Sequence, residues 1–63
     1  MLNPRPTHIR AEWLLAGMFT YRIVYENGAE SPELTAGQAV DILCQAGVTD
    51  PIGKLKQAQG AGP

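Results

Sequence analysis

Apolar and polar residues alternate most clearly over residues 19–25, with the period of a half-buried β-strand. The apolar members of this alternation are Phe19, Tyr21, Ile23 and Tyr25. Asn27-Gly28 follows, a dipeptide favoured in two-residue hairpin turns because both central positions need positive φ. The pattern therefore predicts a β-hairpin with strands at about 19–25 and 29–34.

The register of this hairpin follows from its turn. Folding about Asn27-Gly28 sets Arg22 opposite Glu33, and oppositely charged residues on neighbouring strands stabilise a sheet. The other predicted pairs are Tyr21 with Leu34, Ile23 with Pro32, Val24 with Ser31 and Tyr25 with Glu30. Proline has no N–H to donate, so we expect the returning strand to be short and to lie at a sheet edge.

The next segment has the pattern of a central helix over about 36–46. Thr35 and Gln38 match a capping box, and Gly47 followed by an apolar residue is typical of a Schellman cap. The polar residues inside this helix are only Gln38, Asp41 and Gln45. A helix with so narrow a polar stripe needs cover on more than one side, from the hairpin, a neighbouring helix or another chain.

Asp50-Pro51 has the composition of a helix start, with aspartate as the N-cap and proline in the first turn. We predict a short C-terminal helix over about 51–59, in which Gly53 costs about 1 kcal/mol relative to alanine. Residues 58–63 are predicted to form a flexible tail.

The N-terminal segment is the most ambiguous part of the chain. We predict a short helix over residues 8–16, capped by Thr7 and ended by Gly17 in a left-handed conformation. Its apolar side would consist of Ile9, Trp13 and Ala16. A strand that pairs with residues 19–25 is the alternative, and the pattern leaves it open. Residues 1–6 contain two prolines and are predicted to be an extended arm.

These elements predict a single small α+β domain over residues 1–63. A domain of this size buries only about 60% of the surface that its unfolded chain exposes. Cys44 is the only cysteine and His8 the only histidine, so an internal disulfide and a zinc site are both excluded. Oligomerisation, such as a homodimer, or a partner is therefore an expected source of stability.

Charge is unevenly distributed although the net charge is only −1. Residues 26–50 contain five acidic side chains and no basic one. We therefore predict an acidic and aromatic face on the hairpin and central helix, which docks on a larger protein or complex. Its expected contacts are Tyr25, Glu26, Glu30, Glu33 and Asp41.

A second interpretation is a helix-turn-helix-like nucleic-acid-binding protein that uses residues 47–57. The spacing argues against it, because Gly53 and Lys56 occupy positions that are usually apolar in this motif. The bulky Leu43 also stands where a small residue is usual. The basic residues available are Arg5, Arg10, Lys54 and Lys56, and the near-neutral chain makes nucleic acid the less favoured partner.

We expect no catalysis, no cofactor and no metal site. A phosphate-binding loop needs four residues between its first glycine and Gly-Lys, whereas five separate Gly47 from Gly53. His8 has no nucleophile or carboxylate placed by the sequence to form a relay. Cys44 lies on the apolar helix and is predicted to be a buried, inert thiol.

The beginning of the chain lacks the apolar core of a signal peptide. The longest apolar run, residues 13–19, is far shorter than the roughly 20 residues that span a membrane. We therefore expect a cytoplasmic protein. The predicted function is a non-catalytic protein-binding module, an inhibitor or adaptor; a structural subunit of a homo-oligomer, held by the apolar helix, is a further alternative.

Overall fold

The computed structural model describes residues 4–60. Its elements, in order, are β1 (Pro6–Trp13), a 3₁₀ turn (Leu15–Gly17), β2 (Phe19–Tyr25), α1 (Ala36–Gln45) and α2 (Pro51–Gly60). β1 and β2 form an antiparallel sheet, and the helices pack on one of its faces, α2 against β1 and α1 against β2. The predicted α+β class is confirmed.

β2 is the central strand because it is paired along both edges. On one edge lies β1; on the other, Tyr21 and Leu34 exchange backbone hydrogen bonds of 2.9 and 2.8 Å. The N–H of Ile23 donates to the Ser31 hydroxyl at 2.9 Å, so a side chain replaces a backbone acceptor there. Residues 29–34 therefore add only isolated bridges, where a full strand was predicted.

The predicted register is confirmed at the far end of this hairpin. Tyr21 faces Leu34, and the guanidinium of Arg22 lies 3.7 Å from a carboxylate oxygen of Glu33. Both pairs lie beyond Pro32, where the backbone has returned to the predicted alignment. Charge pairing across strands was thus a reliable guide to this end of the hairpin.

Near the turn the register differs by one residue, because Val24 faces Glu30. The connection has three residues: the N–H of Tyr25 donates to the carbonyl of Ala29, and of the residues between them only Gly28 has positive φ. This is the pattern of a three-residue loop that ends in a left-handed glycine. The predicted pairs Tyr25 with Glu30, Val24 with Ser31 and Ile23 with Pro32 are therefore wrong.

The helix predicted over residues 8–16 is also wrong, since most of this segment lies in β1. Ile9, Ala11 and Trp13 have the period of a strand, and they pair with β2 along its length. An isolated helix shorter than about 12 residues is only marginally stable in water. Pairing with β2 instead gives backbone N–H and C=O groups of this segment hydrogen-bond partners. Gly17 does have a left-handed φ of 73°, but it serves a turn between strands.

Both predicted caps of α1 are confirmed. The Thr35 hydroxyl accepts from the Gln38 N–H at 3.2 Å, and the Gln38 side chain accepts from the Thr35 N–H at 3.0 Å. At the other end, the N–H of Val48 donates to the carbonyl of Leu43 at 3.0 Å, as in a Schellman cap. Local capping chemistry thus sets both ends of this helix.

The core of the described residues is formed by six apolar side chains on the helix-facing side of the sheet. They are Tyr21, Ile23, Leu34, Ala39, Leu43 and Leu55. The Tyr21 hydroxyl accepts a hydrogen bond from the Gln59 side chain, so its polar end is satisfied. Ile23 and Leu43 are the largest side chains with essentially no exposure, and they join the sheet to α1.

Two details of the chain differ from expectation. Cys44 is exposed, which corrects the prediction of a buried thiol, because the core-facing side of α1 is occupied by Ala39 and Leu43. Residues 58–60 of the predicted tail are helical, since α2 continues to Gly60. Residues 1–3 of the predicted arm and residues 61–63 of the predicted tail lie outside the described residues.

The start of α2 yields a test by double-mutant cycle. The Asp50 carboxylate accepts from the Gly53 N–H at 3.2 Å, and a Cβ at Gly53 would overlap that carboxylate. Gly53→Ala should therefore be near neutral, because a propensity gain of about 1 kcal/mol is offset by loss of a cap worth about 1 kcal/mol. In an Asp50→Ala background the same change should stabilise by about 1 kcal/mol.

Urea unfolding of the four proteins in this cycle measures the coupling. Additive effects of the two substitutions would contradict this account of the α2 cap.

Candidate protein interface

The connection between β1 and β2 exposes large apolar side chains. Their exposed fractions are 61% for Trp13, 41% for Leu14, 81% for Leu15 and 63% for Met18. Single exposed apolar residues are ordinary, but a contiguous group on a small protein is typical of an interaction site. We call residues 13–18 the apolar tip.

A strained turn shapes the apolar tip. Ala16 and Gly17 have φ values of 62° and 73°, and the N–H of Met18 donates to the carbonyl of Leu15 at 3.3 Å. Two consecutive residues with positive φ are typical of the tight turns that join hairpin strands. Ala16 is not glycine, so its left-handed conformation costs roughly 1–2 kcal/mol.

β1 also presents an unpaired backbone edge. Tyr21 directs its N–H and C=O toward Leu34, so its β1 partner, Ala11, directs its own away from β2. Ile9 and Trp13 lie two residues to either side of Ala11 and share this orientation. Among the described residues, none forms a backbone hydrogen bond with these outward groups. We call the outward backbone groups of Ile9, Ala11 and Trp13 the open edge.

A cleft of about 360 Å³ lies between the beginning of β1 and α2. Its wall on β1 includes Thr7 and Ile9, and its wall on α2 includes Lys54, Gln57 and Ala58. The cleft therefore adjoins the open edge at Ile9. An apolar side chain brought to this edge would find partly apolar walls beside it.

The acidic residues of the hairpin are paired with arginines on the face of the sheet away from the helices. Arg10 and Arg22 lie directly opposite each other on β1 and β2, which alone would be repulsive. A carboxylate oxygen of Glu30 lies 3.2 Å from a guanidinium nitrogen of Arg10. A carboxylate oxygen of Glu33 lies 3.7 Å from a guanidinium nitrogen of Arg22. These four charges sum to zero, so Glu30 and Glu33 are neutralised within the chain, and Glu12 on the same face is exposed without an ion pair among the described residues.

The five residues predicted to bind a partner do not form one surface. Glu30 and Glu33 lie with the arginines, whereas Asp41 is exposed on α1, across the sheet from them. Tyr25 packs against the core from the helix side, and Glu26 is exposed in the turn. Binding of a partner by these residues stays a prediction.

The four basic residues of the nucleic-acid interpretation are likewise separated. Arg10 is engaged by Glu30, and Arg5 borders a cavity beside Tyr25. Lys54 and Lys56 are exposed on α2, on the helix side of the sheet. The structure therefore does not bring them together as one basic patch.

Within residues 4–60, no group of three or more histidine, cysteine, aspartate or glutamate side chains is placed to hold a metal ion. The His8 ring lies 3.3 Å from the Thr7 hydroxyl, an exposed neighbour in sequence. None of the helices in the described part of the chain has the length and apolar character needed to cross a membrane.

Comparison of the chain with protein-family models, with curated proteins and with solved structures finds no match. Function is therefore inferred from the apolar tip, the open edge and the charges near them. Sequence reasoning overlooked the tip as a site, although its signal was present: the run WLLAGMF is apolar without alternation.

The strained turn leads to a stability prediction. Ala16→Asn creates Asn-Gly, the preferred pair for two positive φ angles, and should stabilise the protein by about 1 kcal/mol. Thermal unfolding should show a rise in Tm of roughly 4–8 °C. Ala16→Val is the matched control and should destabilise, because a β-branched residue resists this conformation. Equal effects of the two substitutions would refute the strained turn.

The charge cluster leads to a second prediction. Removing both acids, by Glu30→Gln with Glu33→Gln, leaves Arg10 facing Arg22 and should lower the unfolding free energy by about 1 kcal/mol in low salt. The loss should shrink in about 1 M salt, where the Debye length is about 3 Å. Urea unfolding at the two salt concentrations measures it, and a loss independent of salt would argue against the ion pairs.

Proposed function

We propose that the protein is a non-catalytic protein-binding module that binds another protein chain through the apolar tip and the open edge. The observation that carries this proposal is the exposure of Trp13, Leu14, Leu15 and Met18 as one contiguous group. Full burial of each such side chain contributes about 1.5–3 kcal/mol. A partner that covers the tip therefore gains affinity from surface that the described chain leaves exposed.

The open edge supports the same proposal through the backbone. A strand with unpaired N–H and C=O groups accepts a further strand, a common mode of peptide and protein recognition. The tip lies at one end of this edge, at Trp13. Backbone pairing and apolar burial thus reinforce each other over a single continuous surface.

Charged residues near this surface would orient the partner more than they would add affinity. The acidic face predicted from the sequence receives less support, because Glu30 and Glu33 are paired within the chain. Nucleic-acid binding likewise receives less support, because Arg10 forms an ion pair with Glu30. We place the module in the cytoplasm, where an exposed, unpaired thiol such as Cys44 remains reduced.

Photo-crosslinking in the native cell tests this proposal. Leu15 is replaced by the photo-reactive amino acid p-benzoylphenylalanine, and a covalent adduct with another protein chain is expected on illumination. Ile52 is the matched control position, since it is also apolar and 59% exposed but lies on α2, outside the tip. Adducts at position 52 alone, or at neither position, would contradict the proposal.

A further inference from the structure

We propose that the partner chain is a second copy of this protein, joined to the first through the open edge in an antiparallel, two-fold arrangement centred on Ala11. This inference rests on the proposed function, because it uses the same surface and names its occupant. It rests on three observations: the orientation of the backbone groups, the order of charges along β1, and the position of the cleft.

The backbone orientation restricts the pairing. Ile9, Ala11 and Trp13 present the outward groups, so a second β1 must meet them with its own outward residues. With the two-fold axis at Ala11, Ala11 faces its own copy. Ile9 then faces Trp13 of the second copy, and Trp13 faces Ile9 of the second copy. Each pair exchanges both backbone hydrogen bonds, which extends the sheet across the axis.

The charges along β1 select this axis over its neighbours. Centred on Ala11, the pairing sets Arg10 opposite Glu12 of the second copy, and symmetry repeats the contact. An axis at Arg10 would set arginine against arginine, and an axis at Glu12 would set glutamate against glutamate. Only the central axis of these three makes both contacts attractive.

Glu12 is the residue that this arrangement supplies with a partner. It is exposed and forms no ion pair among the described residues, whereas Arg10, Arg22, Glu30 and Glu33 all do. Arg10 and Glu12 pair at a position without backbone hydrogen bonds, where facing side chains are closest. The Arg10–Glu30 pair is exposed and its guanidinium lies toward the far edge of β2, so in the dimer Arg10 exchanges Glu30 for the second copy's Glu12.

The cleft lies where the second copy's tip arrives. Trp13 of the second copy comes beside Ile9, whose side chain lines the cleft together with Gln57 and Ala58 of α2. α2 packs against β1: Lys54, Gln57 and Ala58 line the cleft together with Ile9, and Gln59 bonds Tyr21, which faces Ala11. Each half of the symmetric joint therefore contains the α2 of one chain and the tip of the other.

Tryptophan in this position is suited to the role. It is enriched among the residues that dominate protein interfaces, because a large rigid ring loses little conformational entropy when buried. Trp13 is the only tryptophan in the chain, so the tryptophan fluorescence reports on the exposure of this side chain. In the single chain it is 61% exposed, and pairing would cover it.

Sedimentation of the purified chain over a range of concentrations tests the inference, and a reversible monomer–dimer equilibrium is expected. As the fraction of dimer rises with concentration, the emission maximum of the tryptophan should shift to shorter wavelength, and its quenching by acrylamide should fall. Arg10→Glu and Glu12→Arg should each raise the dimer dissociation constant about tenfold or more, because each sets like charges opposite each other at two symmetric positions.

Two rescue experiments separate the register from a general effect on folding. The double variant Arg10→Glu with Glu12→Arg restores both attractive contacts and should dimerise like the parent. A 1:1 mixture of the two single variants should also dimerise, since both acidic side chains of one variant then face the two basic side chains of the other. Circular dichroism confirms that each variant is folded, and Ile52→Gln is a control that should leave the dissociation constant unchanged.

The outcomes separate this inference from the proposed function. If the chain stays monomeric while the crosslinker at position 15 captures a different protein, the proposed self-association is wrong and the proposed protein-binding function is retained. A dimer that ignores both single charge reversals overturns the register and therefore the inference. A monomeric chain with no adduct at position 15 overturns both.

Discussion

The pairing of β2 along both of its edges is the interaction on which the rest of the structure depends. Ile23 shows this at one residue: its N–H and C=O are both bonded to Ser31 on one edge, it pairs with Ile9 on the other, and its side chain is fully buried. β1 and the 29–34 segment both take their backbone pairing from this strand. α1 and α2 pack against the face of this sheet and against each other, around a core of few side chains.

Helix ends were predictable because their signals are local. Thr35 and Gln38 are three residues apart, and their mutual hydrogen bonds do not depend on the remainder of the fold. The N-terminal segment was ambiguous because Ile9 and Trp13 satisfy both the helical and the strand period. The segment is a strand because it pairs with β2, about ten residues further along the chain. The pattern within the segment alone does not contain that information.

The candidate interface was only partly predictable, for a related reason. Arg22 and Glu33 were matched from the hairpin alone, and they do meet. Arg10 lies on the segment mistaken for a helix, so its neutralisation of Glu30 went unseen and the hairpin looked more acidic than it is. The same prediction assigned Trp13 to the apolar side of a helix, so the apolar tip was not recognised as an exposed surface.

Pro32 has a consequence for how far a sheet of this kind can extend. The outer side of the 29–34 segment lacks an N–H at Pro32 and makes only isolated bridges on its inner side, so it is a poor template for another strand. The two edges of the sheet thus differ: the β1 edge can pair with a further strand, whereas the edge at residues 29–34 prevents such pairing. Edge-to-edge association of such molecules ends after a single joint, which guards an exposed strand against propagation into fibres.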